Sequence, residues 1–349
     1  MSKTIKNCFN EKLTFENLLE AHNRAGLNKM NRYELLKFNV DLETNITNIL
    51  VSLKNRTYKL SKYKTFIIYE PKERIIKCLH YKDRIVQQWY VYEFIKPYIL
   101  PRLINTCCAC IDGKGTHYAV KLTQKYMRIM KREYEEYYIL KLDIKKYFYN
   151  IDKDIIYNIM SEYISDKLLL DLTRKFIYDN DESVSIPIGN YTSQYFANIY
   201  LDKLDKYIKE ELKVKYYVRY MDDFVLLLET KEECRLLKEK ISVFLKERLH
   251  LELNSKSKYY PNKMGINFCG YRIYETHMLI RNSSKKKIKK KIKKWNKEYD
   301  NKELDVKHLK LSFNSWVGHS SHANSFNIIS KYKHKIKYFE DMYNFMDML

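Results

Sequence analysis

Tyr220-Met221-Asp222-Asp223 sets two adjacent carboxylates between two apolar, β-branched or aromatic runs. Tyr216-Tyr217-Val218-Arg219 precedes them and Phe224-Val225-Leu226-Leu227-Leu228 follows. The pattern predicts strand, tight turn, strand. Paired acids at a hairpin tip repel one another and cost stability. The cost makes sense where divalent cations sit there, and in a strongly basic chain the natural metal-assisted reaction is on phosphate. The chain carries 65 Lys and Arg against 43 Asp and Glu, a formal net charge of +22 over 349 residues. Such an excess points to a polyanionic partner, most simply nucleic acid. Abundant Lys, Asn, Tyr and Ile also fit AT-rich coding, which would supply part of the charge.

The length allows one large domain or two to three small ones. A hydrophobic share of 45% is ordinary for a globular protein and permits a sizeable core. Only seven Gly and five Pro occur, which argues against long disordered linkers. No run of about 18 apolar residues is present, so no membrane span is expected. Met1-Ser2-Lys3-Thr4-Ile5-Lys6 lacks the apolar stretch of a secretory signal, and a cytoplasmic location is expected. Cys107, Cys108 and Cys110 cluster, but no second cluster at ligand spacing completes a zinc site. Reduced, buried thiols are the expectation.

Residues 1–53 read as a helical extension. Two short strands, 64–70 and 74–79, flank a turn at Pro71-Lys72-Glu73. A helix capped by Asp83 puts Ile85, Trp89, Tyr92, Ile95 and Ile99 on one face. Asp112-Gly113-Lys114-Gly115 turns into a helix through 130. A strand over 137–143 ends on Asp143, and a helix starts near Lys153. Pro187 and Gly189 make an irregular approach to a helix over about 193–212. After the hairpin come a helix over 231–249 and strands at 251–254 and 266–274. Everything beyond 283 reads as helical. The fold class is α+β, an antiparallel sheet with helices on one face. Expected domains are 1–53, 54–280 and 281–349.

Tyr138-Ile139-Leu140-Lys141-Leu142 puts Asp143 at the edge of a buried strand. Asp143, Asp222 and Asp223 together can hold two Mg²⁺ about 4 Å apart, as phosphoryl transfer requires. Plainer readings exist for each: a polar turn for Asp222-Asp223, a helix N-cap for Asp143.

At this point the chain resembles the reverse transcriptases. Their signature is Tyr-x-Asp-Asp on a palm hairpin, with an Asp some way upstream. Asp83-Arg84-Ile85-Val86-Gln87 is similar to the first block of that family and Gly113-Lys114-Gly115-Thr116-His117 to the second. Lys141-Leu142-Asp143-Ile144-Lys145-Lys146-Tyr147-Phe148 is similar to the third. Ile186-Pro187-Ile188-Gly189-Asn190-Tyr191-Thr192-Ser193-Gln194 is similar to the fourth. Leu253-Asn254-Ser255-Lys256 and Gly265-Ile266-Asn267-Phe268-Cys269-Gly270-Tyr271 are similar to the sixth and seventh. The blocks follow family order.

The resemblance implies a right-hand polymerase of fingers, palm and helical thumb, copying template RNA into DNA from dNTPs. It makes Asp143, Asp222 and Asp223 the metal-binding carboxylates, with the Ile144 carbonyl as a further ligand. Phe148 matches the aromatic that excludes a ribose 2′-hydroxyl. Lys72 and Arg74 match the grip on the incoming triphosphate, where cations suit phosphate. Lys256 matches a late-block lysine near the nucleotide, with Lys258 as its rival. Gln194 and Ile188 fall beside the nascent base pair. Tyr220, Met221, Gly270 and Tyr271 would meet template or primer.

The fourth block discriminates further. Many bacterial relatives have Pro-Gln-Gly followed by Ser-Pro. Here Ile188 stands for Gln and Ser193-Gln194 for Ser-Pro. That combination resembles the enzymes of diversity-generating retroelements, which misincorporate opposite template adenine. Loss of a polar amide beside the base pair would relax geometric checking. Membership implies a small basic ring-forming accessory protein as partner. Two alternatives stay open: a retron, abortive-infection or compact group II-type reverse transcriptase, and a non-catalytic RNA-binding scaffold. No DNA-binding or nuclease extension is expected. The basic helices after Ser283 would grip the RNA/DNA duplex, with Ile288 and Ile292 as their docking face. Ser315-Trp316-Val317-Gly318-His319 also resembles thumb sequences, so His319 and His322 are expected as thumb residues and not metal ligands.

Overall fold

The computed structural model describes residues 4–29, 31–69, 73–180 and 182–346. The chain begins with helices α1 (Phe9–Lys12), α2 (Phe15–Gly26), α3 (Tyr33–Asn39) and α4 (Leu42–Lys54). The hairpin β1 (Lys64–Ile68) and β2 (Arg74–Cys78) leads into α5 (Tyr81–Tyr90). Next come α6 (Thr116–Glu133), β3 (Tyr138–Asp143), α7 (Lys153–Tyr163) and α8 (Lys167–Ile177). Then follow α9 (Tyr191–Tyr200), α10 (Asp202–Lys206), β4 (Tyr216–Tyr220), β5 (Asp223–Leu228) and α11 (Lys231–Leu249). Strands β6 (Lys258–Pro261), β7 (Ile266–Phe268), β8 (Tyr271–Ile273) and β9 (Met278–Ile280) precede the last helices. These are α12 (Asn282–Asp300), α13 (Val306–Ser320), α14 (Phe326–Lys333) and α15 (Lys337–Met346). The fold is therefore mixed α and β, with antiparallel pairing of β1 with β2, β3 with β6, β4 with β5, β7 with β8 and β8 with β9.

Two compact units share the chain, and each is assembled from three separate stretches. The first comprises Met1–Gly113, Leu142–Lys215 and Leu236–Ser257; the second comprises Lys114–Lys141, Tyr216–Arg235 and Lys258–Leu349.

The first unit is organised by aromatic packing around α5. Trp89 meets Phe9 edge-on at 5.4 Å and Phe94 at 5.2 Å, and Tyr90 meets Phe176 at 5.2 Å. Such pairs add about 1 kcal/mol each beyond their buried area. Trp89 Nε1–H donates to Lys12 O at 2.9 Å, so α1 is tied to α5. The Asp166 carboxylate accepts from Phe9 N and also caps α8 through Leu168 N and Leu169 N. Residues after Tyr90 continue as a π-helix, Val91–Ile99, with Pro97 inside it. Proline lacks the donor that an α-helix would need there.

Four strands, all in the second unit but for Leu142 and Asp143 at the end of β3, run in the order β4-β5-β3-β6, and three more in the order β7-β8-β9. The inner strands are near-continuous apolar runs because both faces are covered, and Tyr217 to Leu228 are buried except around the turn. The C-terminal helices close on Ile288, Ile292, Trp295, Leu309, Phe313, Tyr332 and Ile336. Burying each of these stabilises the helices by roughly 2 kcal/mol. The lysines of α12 between them stay on the outer face. Among the described residues no helix is long and apolar enough to cross a membrane.

Three expectations need correction. Asp83 does not cap α5: it is fully buried inside the first turn, and its carboxylate accepts from Tyr58 OH at 2.8 Å. Residues 251–254 form no strand, only the isolated bridge Ile144↔Leu253. The outer pairing partner of β3 is instead β6, whose Tyr259-Tyr260-Pro261 gives no alternation to read. The stretch 266–274 is two strands joined by a tight turn, and β9 follows. The turn expected at Pro71-Lys72 lies outside the described residues.

Gly189 has φ +127°, and a Cβ there would lie 2.5 Å from Lys77 O. Gly189→Ala should therefore lower unfolding free energy by about 2–3 kcal/mol, measured by urea denaturation. A loss below about 0.5 kcal/mol, typical of a neutral surface change, would show that the backbone there yields.

Candidate active site

Strands β4 and β5 pair from Tyr216↔Leu227 to Tyr220↔Asp223, leaving Met221 and Asp222 as a two-residue turn. Met221 has φ +55°, a left-handed conformation that costs a residue with a side chain roughly 1 kcal/mol. Arg219, fully buried on β4, braces it: Nη1–H donates to Met221 O at 3.1 Å. Asp222 and Asp223 are both half-buried at the tip. Lys141 Nζ, from β3, forms an ion pair with Asp223 Oδ1. The sheet thus sets a cation against one of the two like charges.

Asp143 is the last residue of β3, and β3 neighbours β5, which begins with Asp223. The segment after α11 pins the Asp143 backbone. Ser257 Oγ accepts from Asp143 N at 3.1 Å, and Asn254 N–H donates to Asp143 O at 2.7 Å. Ile144 is buried in its bridge to Leu253. The donor chemistry suits a hard cation, since carboxylate and carbonyl oxygens are what Mg²⁺ takes. Asp223 already draws a cationic side chain. As the side chains stand, however, no three His, Cys, Asp or Glu among the described residues form a group that could hold a metal ion.

The other expected residues fall in several places. Phe148 sits half-buried in a 3₁₀ turn against Tyr147, and its carbonyl accepts from Ile186 N at 3.0 Å. Ile188 is half-buried, and its carbonyl accepts from Lys77 N at 2.9 Å. Gln194 lies half-buried in the first turn of α9. Arg74 opens β2 and is exposed; Lys72 is outside the described residues. Lys256 and Lys258 are both exposed. Gly270 has φ +92° and closes the β7–β8 turn with Cys269 at φ +47°. Two positive φ values in a two-residue hairpin are the glycine-favouring geometry.

Tyr271, on β8, packs inward. It is 1% exposed, and its hydroxyl donates to His319 O at 2.7 Å. His319 Nδ1 lies 3.1 Å from the same hydroxyl, and His117 stacks on His322 with centroids 3.6 Å apart. Three histidines and a tyrosine therefore tie β8 to α13 and α6 within the second unit. Sequence reading placed His319 in the thumb but missed its bond to Tyr271. The buried Arg219 was likewise read as one residue of a strand.

Comparison with known proteins identifies the family. The chain matches the family described as reverse transcriptase (RNA-dependent DNA polymerase) over residues 64–273. A putative COX1/OXI3 intron 2 protein of Saccharomyces cerevisiae is 26% identical, covering 42% of this chain and 25% of that one. The group II intron-encoded protein LtrA of Lactococcus lactis subsp. cremoris is 23% identical, covering 66% of this chain and 50% of that one. The chain spans between a quarter and a half of the length of these relatives. Among solved structures, apo telomerase from Candida tropicalis truncated from its C-terminal domain aligns with TM-score 0.48 and 13% identity, over 66% of this chain and 58% of that one. Candida albicans telomerase, complexed with a fragment of telomeric RNA, aligns with TM-score 0.46 and 11% identity, over 69% and 51%.

The histidine cluster carries a pH signature. Burial lowers the pKa of His319 below 6.5, and the neighbouring His322 adds to it. His117 is lowered by burial, then by His322, His319 and Lys121. Both rings bind protons more weakly folded than unfolded, so their contribution is complete above about pH 6.5 and is lost as pH falls from there through the lower folded values. Thermal melting from about pH 7.5 to about pH 5.5 should show a falling midpoint. His319→Phe should flatten the fall; an unchanged slope would assign it to other groups.

Proposed function

Because the chain belongs to the reverse transcriptase family, we propose that it is an RNA-directed DNA polymerase that extends a DNA 3′-hydroxyl on an RNA template. The observation that carries the reading is the Arg219-braced turn, which presents Asp222 and Asp223 at a hairpin tip of the four-stranded sheet. In this reading β3 to β6 belong to the palm, β1 and β2 to the fingers, and α12 to α15 to the thumb.

Asp143, Asp222, Asp223 and the Ile144 carbonyl would hold two Mg²⁺. Bound there, the ions would lower the pKa of the primer hydroxyl and stabilise the leaving oxygen. Asp223 would exchange its partner Lys141 for the metal. Phe148 would fill the space of a ribose 2′-hydroxyl and so favour deoxynucleotides. Lys72, Arg74 and Lys256 would neutralise the triphosphate by charge-assisted hydrogen bonds. Gln194 and Ile188 would border the nascent pair. Tyr220, Met221 and the Gly270 turn would meet primer and template. The outer lysines of α12 would follow the duplex backbone, so binding should weaken steeply with salt.

The finer reading is a diversity-generating enzyme, error-prone at template adenines and joined by a small basic ring-forming accessory protein. Ile188 supports it: an apolar side chain there checks base-pair geometry less strictly than an amide would.

Primer extension on poly(rA)/oligo(dT) with Mg²⁺ tests the activity. Asp222→Asn should cut synthesis by a factor on the order of a thousand or more, with RNA binding retained. Synthesis at the wild-type rate would remove Asp222 from the metal site. If the wild-type chain binds RNA but extends no primer, a non-catalytic scaffold describes it better. Ile188→Gln should lower misincorporation opposite adenine when the cDNA is sequenced. An unchanged error spectrum would take Ile188 out of the fidelity argument.

A further inference from the structure

The segment Ile186–Asn190 has no strand or helix of its own to satisfy its polar groups. Side chains and backbone from elsewhere in the first unit do so instead. Ile186 N–H donates to Phe148 O at 3.0 Å, and Lys77 N–H donates to Ile188 O at 2.9 Å. At the head of α9, Gln87 Oε1 accepts from Tyr191 N at 2.9 Å. Asn190 is the N-cap residue of that helix, and asparagine is among the best N-caps. Yet it makes no side-chain cap. Its amide is turned away, and Nδ2–H donates to Tyr63 OH at 2.7 Å.

Behind Tyr63 stands a buried ion pair. Lys153 Nζ meets Asp179 Oδ1 at 3.0 Å, with both side chains 0% exposed. Lys153 also donates to Asn180 Oδ1 at 2.7 Å. Burial and the adjacent Asp179 carboxylate push the Tyr63 hydroxyl well up, so it keeps its proton while accepting from Asn190. A fully buried Lys–Asp pair is a poor source of net stability. It is a good anchor, because neither charge can move without losing its partner.

We propose that Tyr63 is a positioning residue for nucleotide selection: anchored beside the Lys153–Asp179 pair, it holds Asn190 and thereby fixes the backbone that presents Ile188. The proposal rests on the polymerase reading for its consequence but not for its geometry. Release of Asn190 would leave Ile188 attached to β2 through one backbone bond and free to tilt about the flexible Gly189. The selection of the incoming nucleotide would loosen, while the carboxylates of the second unit stay untouched.

Tyr63→Phe removes the one hydroxyl. Hydrogen exchange over residues 186–190 should quicken in the variant, a readout that needs no catalysis. Steady-state extension should show KM for dNTP raised about five-fold, the worth of one neutral hydrogen bond, with kcat within about two-fold and a broader error spectrum. Asn190→Ala should match it, and the double variant should be no worse than either single one. Unchanged exchange, or a lower melting temperature with unchanged KM and errors, overturns the proposal. So do additive effects in the double variant. If Tyr63→Phe fails to fold, Asn190→Ser can cap α9 itself while losing the tie; unchanged exchange and KM in that variant overturn the proposal equally. A wild-type chain that polymerises nothing defeats the functional reading alone, since the exchange comparison still decides the tie.

Discussion

Two like charges at the tip of one hairpin are the constraint around which the second unit is built. Asp222 and Asp223 repel, and Met221 beside them holds a backbone conformation that favours glycine. The sheet answers both costs with cations. Lys141 reaches Asp223 from the neighbouring strand, and Arg219 is buried whole to hold the Met221 carbonyl. A buried guanidinium is expensive unless its donors are used. Its position two residues before the turn is therefore set by the turn itself. The order β4-β5-β3-β6 follows from the same need, because β3 must lie next to β5 for Lys141 to reach.

The hairpin was legible because its two signals agree. Apolar runs flank a polar pair, and no other element fits runs that short. The amphipathic C-terminal helices were legible for a similar reason, with Ile288 and Ile292 one turn apart. β6 was hidden because Lys258-Tyr259-Tyr260-Pro261 is short and carries no alternating pattern. Its place in the sheet comes from pairing with Tyr138–Lys141, a long-range fact that no local window contains. Leu251 to Asn254 looks more like a strand, yet its backbone makes only single ties, Asn254 N–H to Asp143 O and Lys145 N–H to Glu252 O.

Within the candidate site, residue types were readable and partners were not. Asp143, Asp222 and Asp223 stand out as acids at strand ends. Lys153 does not, because a lysine at the start of a helix is ordinarily solvated; here it is wholly buried against Asp179. Asp83 follows the same rule in reverse. Its sequence position suits a helix cap, but Tyr58 and Ser61 arrive to take its carboxylate inside the core. Tyr271 is legible as part of a turn motif, but its bond to His319 is not. Each of these depends on which segments meet, which local chemistry does not encode.

The interleaving of the two units also bears on how the chain is made. A ribosome delivers residues in order, but neither unit is a contiguous stretch. β3 emerges early and cannot find its outer neighbour until Pro261 has left the exit tunnel. The first unit likewise waits for Leu236–Ser257 to arrive and pin the strand end at Asp143. Nascent β3, an apolar run with an unpaired edge, is the kind of segment that aggregates when left uncovered. A chain so threaded cannot complete either unit until most of the polypeptide has been synthesised.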